Sequence, residues 1–178
     1  SAGFIINFDT INIYSGGTIT NSGTFTNIST ITNNGTITNQ CGSTYSGNPP
    51  VGNPIVIICV ATITIIKDAV PNNAQNFGFG TTGGLTPVNF SLDDDADATL
   101  PNTRIYSNVV PGSYTITESV VAGFSLTGLV CTDPDNGTIV NTATRVATID
   151  VDAGESITCT YTNAQTGTIT IIKDTIPN

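Results

Sequence analysis

Two different spacings of apolar residues divide this chain. Over residues 17–40 one apolar residue recurs every six positions, at Ile19, Phe25, Ile31 and Ile37. The four hexads are Gly17-Thr-Ile-Thr-Asn-Ser22, Gly23-Thr-Phe-Thr-Asn-Ile28, Ser29-Thr-Ile-Thr-Asn-Asn34 and Gly35-Thr-Ile-Thr-Asn-Gln40. Each predicts a three-residue strand with one inward side chain, followed by a corner at Asn-x-Gly or Asn-x-Ser, residues that tolerate left-handed backbone. A short β-solenoid with stacked corner asparagines meets this pattern, and so does a β-meander of very short strands. Phe4–Phe8 and Ile11–Tyr14 add a rung or a cap.

From residue 61 the spacing becomes strict alternation. Ala61-Thr-Ile-Thr-Ile-Ile-Lys-Asp68, with Ala69-Val-Pro-Asn72 behind it, is rich in β-branched residues and predicts a strand. Ile63, Ile65 and Lys67 share one face, and a lysine in line with core isoleucines is costly unless it is partnered. The stretch returns 106 residues later as Gly167-Thr-Ile-Thr-Ile-Ile-Lys-Asp174, then Thr175-Ile-Pro-Asn178, with nine of twelve positions identical. Either the chain is cut from a longer array or the last strand, Thr168, Ile169, Thr170, Ile171, Ile172 and Lys173, is meant for another molecule. Between the copies, strands are predicted at 76–80, 87–92, 103–108, 113–118, 124–131, 137–141, 144–151 and 155–162, separated by Gly, Pro, Asn and Asp turns. Short strands at this spacing make an antiparallel sandwich. Residues 47–60, with Asn48-Pro-Pro-Val-Gly-Asn-Pro54, are expected to be a linker, and the apolar run from Ile55 is expected to continue unbroken into the Ala61 strand.

Charge sharpens the division. Residues 1–60 carry Asp9 alone, whereas residues 61–178 carry four basic and twelve acidic groups, which together give the net −9. Without a basic patch the chain is repelled by nucleic acid and anionic membranes. Its longest apolar run, Ile55–Ala61, is far below the roughly 20 residues of a membrane-spanning helix. Cys41, Cys59, Cys131 and Cys159 lack CxxC spacing and the chain has no histidine, which argues against zinc. Three disulfide pairings are open to them. The local one, Cys41–Cys59 with Cys131–Cys159, is the expected pairing and implies an oxidising compartment, against the alternative of four buried thiols.

Four blocks then carry a resemblance: Ile63-Thr-Ile-Ile-Lys-Asp68, Val110-Pro-Gly-Ser-Tyr-Thr-Ile-Thr-Glu118, Ala122-Gly-Phe124 and Thr158-Cys-Thr-Tyr-Thr-Asn163. They are similar to the Cna B-type, prealbumin-like domains of pilins and surface adhesins. The hexads, for their part, resemble the Gly-Thr-Ile-Thr-Asn repeats of large bacterial and archaeal surface proteins. The expected fold is therefore all-β: a β-solenoid or β-meander over 1–46, a Pro-rich linker and bridging strand over 47–60, an antiparallel prealbumin-like (Ig-like) sandwich over 61–166, and a surplus strand over 167–178. The resemblance also implies a self-formed isopeptide bond between Lys67 and Asn163, promoted by Glu118. Parity agrees, since Glu118 follows Tyr114 and Ile116 while Asn163 follows Ile157, Cys159 and Tyr161. Burial would leave a neutral amine beside a protonated carboxyl. The alternative is a structural Lys67–Glu118 ion pair, or a lysine that snorkels to water.

Asp93, Asp95 and Asp97 alternate in one loop and offer oxygen ligands suited to calcium, although the glycine and closing glutamate of an EF-hand are missing. A solvated acidic loop is the plainer reading, so the expected cofactor is none or calcium. No set of residues for substrate turnover is apparent, and without histidine the commonest general base is absent, so the chain is not read as an enzyme. The expected role is an extracellular, cell-surface structural subunit that polymerises with copies of itself by β-strand addition. The rival role is an adhesin whose loops bind glycans or other surface proteins.

Overall fold

One apolar residue and one asparagine per short strand are enough to wind the first part of the chain into a parallel coil. The computed structural model describes residues 3–95, 97 and 99–174, which include no helix. It divides into two compact units, residues up to Ala61 with Asp152–Glu155, and Thr62–Val151 with the residues from Ser156 onward.

The first unit holds β1 (Phe4–Asn7), β2 (Ile11–Ile13), β3 (Thr18–Asn21), β4 (Thr24–Asn27), β5 (Ile31–Asn33), β6 (Thr36–Gln40), β7 (Thr44–Gly47), β8 (Val51–Gly52) and β9 (Ile55–Ile58). Consecutive strands lie in different sheets, and the three sheets run β1-β4-β7, β2-β5-β8 and β3-β6-β9. Every pairing in them is parallel, which excludes a meander and makes the unit a three-sided β-solenoid of three coils. Like residues stack from coil to coil: Ile11 on Ile31, Ile19 on Ile37, Phe25 on Tyr45 and Ile37 on Ile55. Ile13, Phe25, Ile31 and Ile37 form the buried core, with Ile11, Ile19, Tyr45 and Ile55 packed against it.

The corners are held by buried asparagines. Oδ1 of Asn7, Asn21, Asn27 and Asn33 accepts the backbone N–H two residues on, at 3.0–3.3 Å. Their Nδ2 groups donate to the adjacent coil: Asn7 to Asn27 Oδ1 (2.8 Å), Asn21 to Asn39 Oδ1 (3.0 Å), Asn27 to Asn48 O (2.8 Å) and Asn33 to Asn53 O (2.8 Å). Each amide thus spends both its polar ends inside the stack, which is what permits its burial.

Residues 47–60 are not a linker. β7, β8 and β9 form a third coil, and the glycines that looked like hinge residues are there because the coils touch. Gly47 and Gly52 have positive φ, and a Cβ on either would strike the carbonyl oxygen of Asn27 or Asn33 in the coil beneath. Pro50 and Pro54 fall outside the strands, where no ladder N–H is needed. Nor does the apolar run pass unbroken into the next strand, because β9 ends at Ile58. The Cys41–Cys59 disulfide joins the two ends of the third coil.

The second unit holds β10 (Ala61–Val70), β11 (Asn73–Thr82), β12 (Asn89–Asp94), β13 (Thr103–Val109), β14 (Gly112–Glu118), β15 (Phe124–Thr132), β16 (Ile139–Asn141), β17 (Val146–Val151) and β18 (Ser156–Gln165). They form a sandwich of a four-stranded sheet, β13-β10-β18-β15, and a five-stranded sheet, β12-β11-β14-β17-β16. The sheets meet through Phe79 against Tyr161 and through the Tyr161 hydroxyl, which donates to Ile116 O. The sandwich is not wholly antiparallel. β10 and β18 pair in parallel, which a long excursion through the rest of the unit allows and a hairpin would not. Cys131 and Cys159 sit directly opposite each other on β15 and β18 and are disulfide-bonded.

The second copy of the β10 sequence is not a strand here. Residues 167–174 pair with nothing in a sheet, because β10 already fills the place beside β18. Thr175–Asn178 lie outside the described residues.

Asn27→Ala should lower the stability of the first unit by about 2 kcal/mol, since it removes the acceptor of the Ser29 N–H, the shorter of the two acceptors of the Asn7 amide, and one of the two donors to the Asn48 carbonyl. Asn34→Ala, at an exposed corner, should change it by less than about 0.5 kcal/mol. Denaturant unfolding of both variants measures the difference.

Candidate functional site

Alternation along three strands brings a lysine, a glutamate and an asparagine into one dry space. In β10 the buried positions are Ala61, Ile63, Ile65, Lys67 and Ala69; in β14 they are Tyr114, Ile116 and Glu118; in β18 they are Ile157, Cys159, Tyr161 and Asn163. Lys67, Glu118 and Asn163 are 1%, 2% and 0% exposed. The lysine neither snorkels nor lies at an edge.

Lys67 Nζ donates to three carbonyl-type oxygens, Asp68 O (2.7 Å), Asn163 Oδ1 (2.8 Å) and Tyr161 O (2.9 Å). It also sits 4.1 Å from the centre of the Phe77 ring. Glu118 Oε1 is 3.8 Å from Nζ and accepts no hydrogen bond, whereas Oε2 accepts from Asn163 Nδ2 (3.2 Å) and Arg145 Nη1 (2.7 Å). Burial pulls the Lys67 ammonium down to about 8, only partly opposed by the charge of Glu118. Burial likewise raises the Glu118 carboxyl above its ordinary range, opposed by the Asn163 hydrogen bond and by the Lys67 and Arg145 charges. Both shifts favour the uncharged forms. With a midpoint of about 8 the lysine is still mostly ammonium at neutral pH, as its three donated hydrogen bonds require. Its minority amine form, next to an amide carbonyl with a carboxyl oxygen beside it, is a set for acyl transfer within the protein.

Arg145 was not anticipated from the sequence. It precedes β17 at positive φ, its backbone oxygen accepts from the Glu118 N–H (3.1 Å), and its side chain caps the carboxylate. A signal was present, because Arg145 shares the parity of Ala147, Ile149 and Val151, the inward residues of β17.

The loop aspartates lie elsewhere in the second unit. Asp93, one residue before the end of β12, is buried, Asp97 is exposed, and their carboxylate oxygens and that of Asp95 lie within 4.8 Å of one another. Thr168–Lys173 are exposed, with Ile169 and Ile171 at 89% and Ile172 at 86%.

Residues 63–165 match the family described as a prealbumin-like fold domain. Solved structures similar to the chain include a single-residue mutant of the major pilin of Streptococcus pyogenes, at 19% identity over 64% of this chain and 51% of that one (TM-score 0.42). A second is an adhesin of Mobiluncus mulieris containing intramolecular disulfide, isopeptide and ester bond cross-links, at 14% identity over 61% and 42% (TM-score 0.41). A third is the minor pilin of Streptococcus agalactiae, at 11% identity over 68% and 51% (TM-score 0.40). The chain spans about half the length of these proteins. No curated protein matches it.

Removing the Arg145 side chain should lower stability by about 2 kcal/mol at neutral pH, because a buried carboxylate loses its closest donor. The sign with pH follows from the raised Glu118 pKa. The fold gains stability as acid protonates Glu118, and the gain is complete below the unfolded value of 4.5. Without Arg145 the folded midpoint rises further, so the deficit of Arg145→Ala should be full at neutral pH and fade on acidification. Chemical denaturation across pH measures both.

Proposed function

The chain belongs to the prealbumin-like fold domain family, and from that premise we propose that it is an extracellular structural subunit of a filament or surface stalk. The observation that carries this reading is the second copy of the β10 sequence. Gly167–Asp174 repeats an inner strand of the sandwich, yet its isoleucines face solvent. An apolar, β-branched segment of this kind is a hazard unless it pairs. The four-stranded sheet ends at β13 and β15, whose outer edges offer main-chain partners to a strand from a second copy. Contact of this head-to-tail kind builds an open filament. Two disulfides support an oxidising, extracellular setting.

The buried site fits a subunit better than an enzyme, since Lys67, Glu118 and Asn163 leave a substrate no way in. In the reaction we propose, Glu118 enters as the carboxylate to which Arg145 and Asn163 donate; the amine form of Lys67 Nζ attacks Asn163 Cγ and its proton passes to Glu118. Glu118 then protonates the departing amide nitrogen. The Nζ–Cγ bond forms, the Cγ–Nδ2 bond breaks and ammonia leaves once. Arg145 and Asn163 hold Oε2, which leaves Oε1 facing the amine to carry the proton.

The intact mass should fall short of the sequence mass by one ammonia beyond the hydrogens lost to two disulfides, and Lys67→Ala or Glu118→Gln should restore it. Full recovery of an unmodified Lys67 peptide after digestion would refute the bond.

Deleting residues 167–178 should abolish filaments seen by negative stain while leaving a folded monomer. Unchanged filaments would refute strand addition, and a wild-type chain that stays monomeric and binds a glycan or a surface protein would favour the adhesin reading.

A further inference from the structure

The loop between β12 and β13 ends in a charge problem that the protein does not solve by itself. Alternation breaks at the end of β12, where Leu92, Asp93 and Asp94 are buried in succession. Asp94 is accounted for, since its Oδ2 accepts the Ala69 N–H at 2.8 Å. Asp93 is not. It is 1% exposed, and neither carboxylate oxygen has a hydrogen-bond partner among the described residues. The carboxylates of Asp95 and Asp97 stand within 4.8 Å of it. Both ion pairs found among the described residues go to Glu118, so no lysine or arginine offsets the three charges.

Protonation does not resolve this. Burial and the charges of Asp95 and Asp97 do raise the Asp93 pKa. A neutral Asp93, however, carries a single proton, so its other buried oxygen would still lack a donor among the described residues, and the charges of Asp95 and Asp97 would still face each other. A cation shared by the three carboxylates satisfies both Asp93 oxygens and removes the repulsion together. We propose that Asp93, Asp95 and Asp97 form a calcium site.

The donor set selects the ion. All ligands are hard carboxylate oxygens, the chain has no histidine, and among the described residues no cysteine is free, so the nitrogen and sulfur donors of a zinc site are missing. An irregular loop suits the six to eight loosely arranged oxygens of Ca²⁺, with water completing the shell, better than the strict octahedron of Mg²⁺. Asp95 Oδ1 accepts the Asp97 N–H (2.8 Å), and Asp97 Oδ1 accepts the Thr99 N–H and hydroxyl (2.7 Å each), which leaves each carboxylate a second oxygen for the ion.

The site has a structural reach beyond the loop. The loop passes from one sheet to the other, and Asn102 O, near its far end, accepts the Lys67 N–H at 2.8 Å. Together with the Asp94–Ala69 bond, the loop grips β10 on both sides of Asp68. An ion that orders the loop therefore steadies the strand that carries Lys67.

Calorimetric titration of the whole, chelator-treated chain with CaCl₂ tests the proposal. One saturable site per chain is expected, with Kd about 10⁻⁴–10⁻³ M and a rise in melting temperature of about 5 °C at roughly 10 mM Ca²⁺. Asp95→Asn should weaken binding by about tenfold with the fold intact. Asp93→Asn should lose the calcium response while its metal-free form melts no lower than the parent, because it removes a buried, unmatched charge. Absence of saturable binding, equal binding by Asp95→Asn and Asp97→Asn variants, or tighter binding of MgCl₂ than of CaCl₂ would each overturn the assignment.

Discussion

The second unit depends on keeping an ammonium and a carboxylate together in a place without water. Moving the lysine from its ordinary 10.5 to about 8 corresponds to roughly 3 kcal/mol against the charged form. Surface placement would have been cheaper, so the surrounding strands must force the burial. They do so through register. Parallel pairing sets Lys67 opposite Tyr161 and two residues before the level of Asn163, which puts both acceptors within reach of Nζ. From the facing sheet, β14 ends at Glu118, where the Arg145 turn closes over the carboxylate. A shift of one residue in any of the three strands would turn its polar group to the outer face.

The first unit solves the opposite problem with neutral groups. It holds one charged residue among its first 60 and buries five asparagines, whose amides present a donor and an acceptor along the stacking direction. At the corners the carboxamides add side-chain hydrogen bonds between coils to those of the main-chain ladders. One aliphatic residue in six suffices, since the core of each coil is only a few side chains wide.

Much of this was legible in the residues. The resemblance pointed to Lys67, Glu118 and Asn163 and parity agreed in setting them on inward faces, while the hexads, through Asn21, Asn27, Asn33 and Asn39, pointed to a solenoid or a meander. What sequence could not display was contact between segments of unlike composition. The third coil has no hexad, so Gly47, Gly52 and the prolines read as a hinge until the carbonyls of Asn27 and Asn33 were seen beside the glycines. Parallel pairing of β10 with β18 was equally hidden, because strand direction across 94 residues leaves no local trace. Arg145 fell inside the expected 144–151 strand, but nothing local ties it to Glu118, which is 27 positions away.

Parallel neighbours at the two ends of a domain also have a mechanical meaning. β10 runs from Thr62 to Val70 alongside Ser156 to Ala164, so the chain enters the ladder at one end and leaves it at the other. Tension on the entering and departing chain acts along the strands and shears their paired positions all at once, where a hairpin would be peeled open one pair at a time. Lys67 and Asn163 lie close to the point of departure. Were they covalently joined, force would cross from one strand to the other through their side chains, and residues 68–162 would carry none of it. The sandwich would then behave as an inextensible link with most of its length held slack.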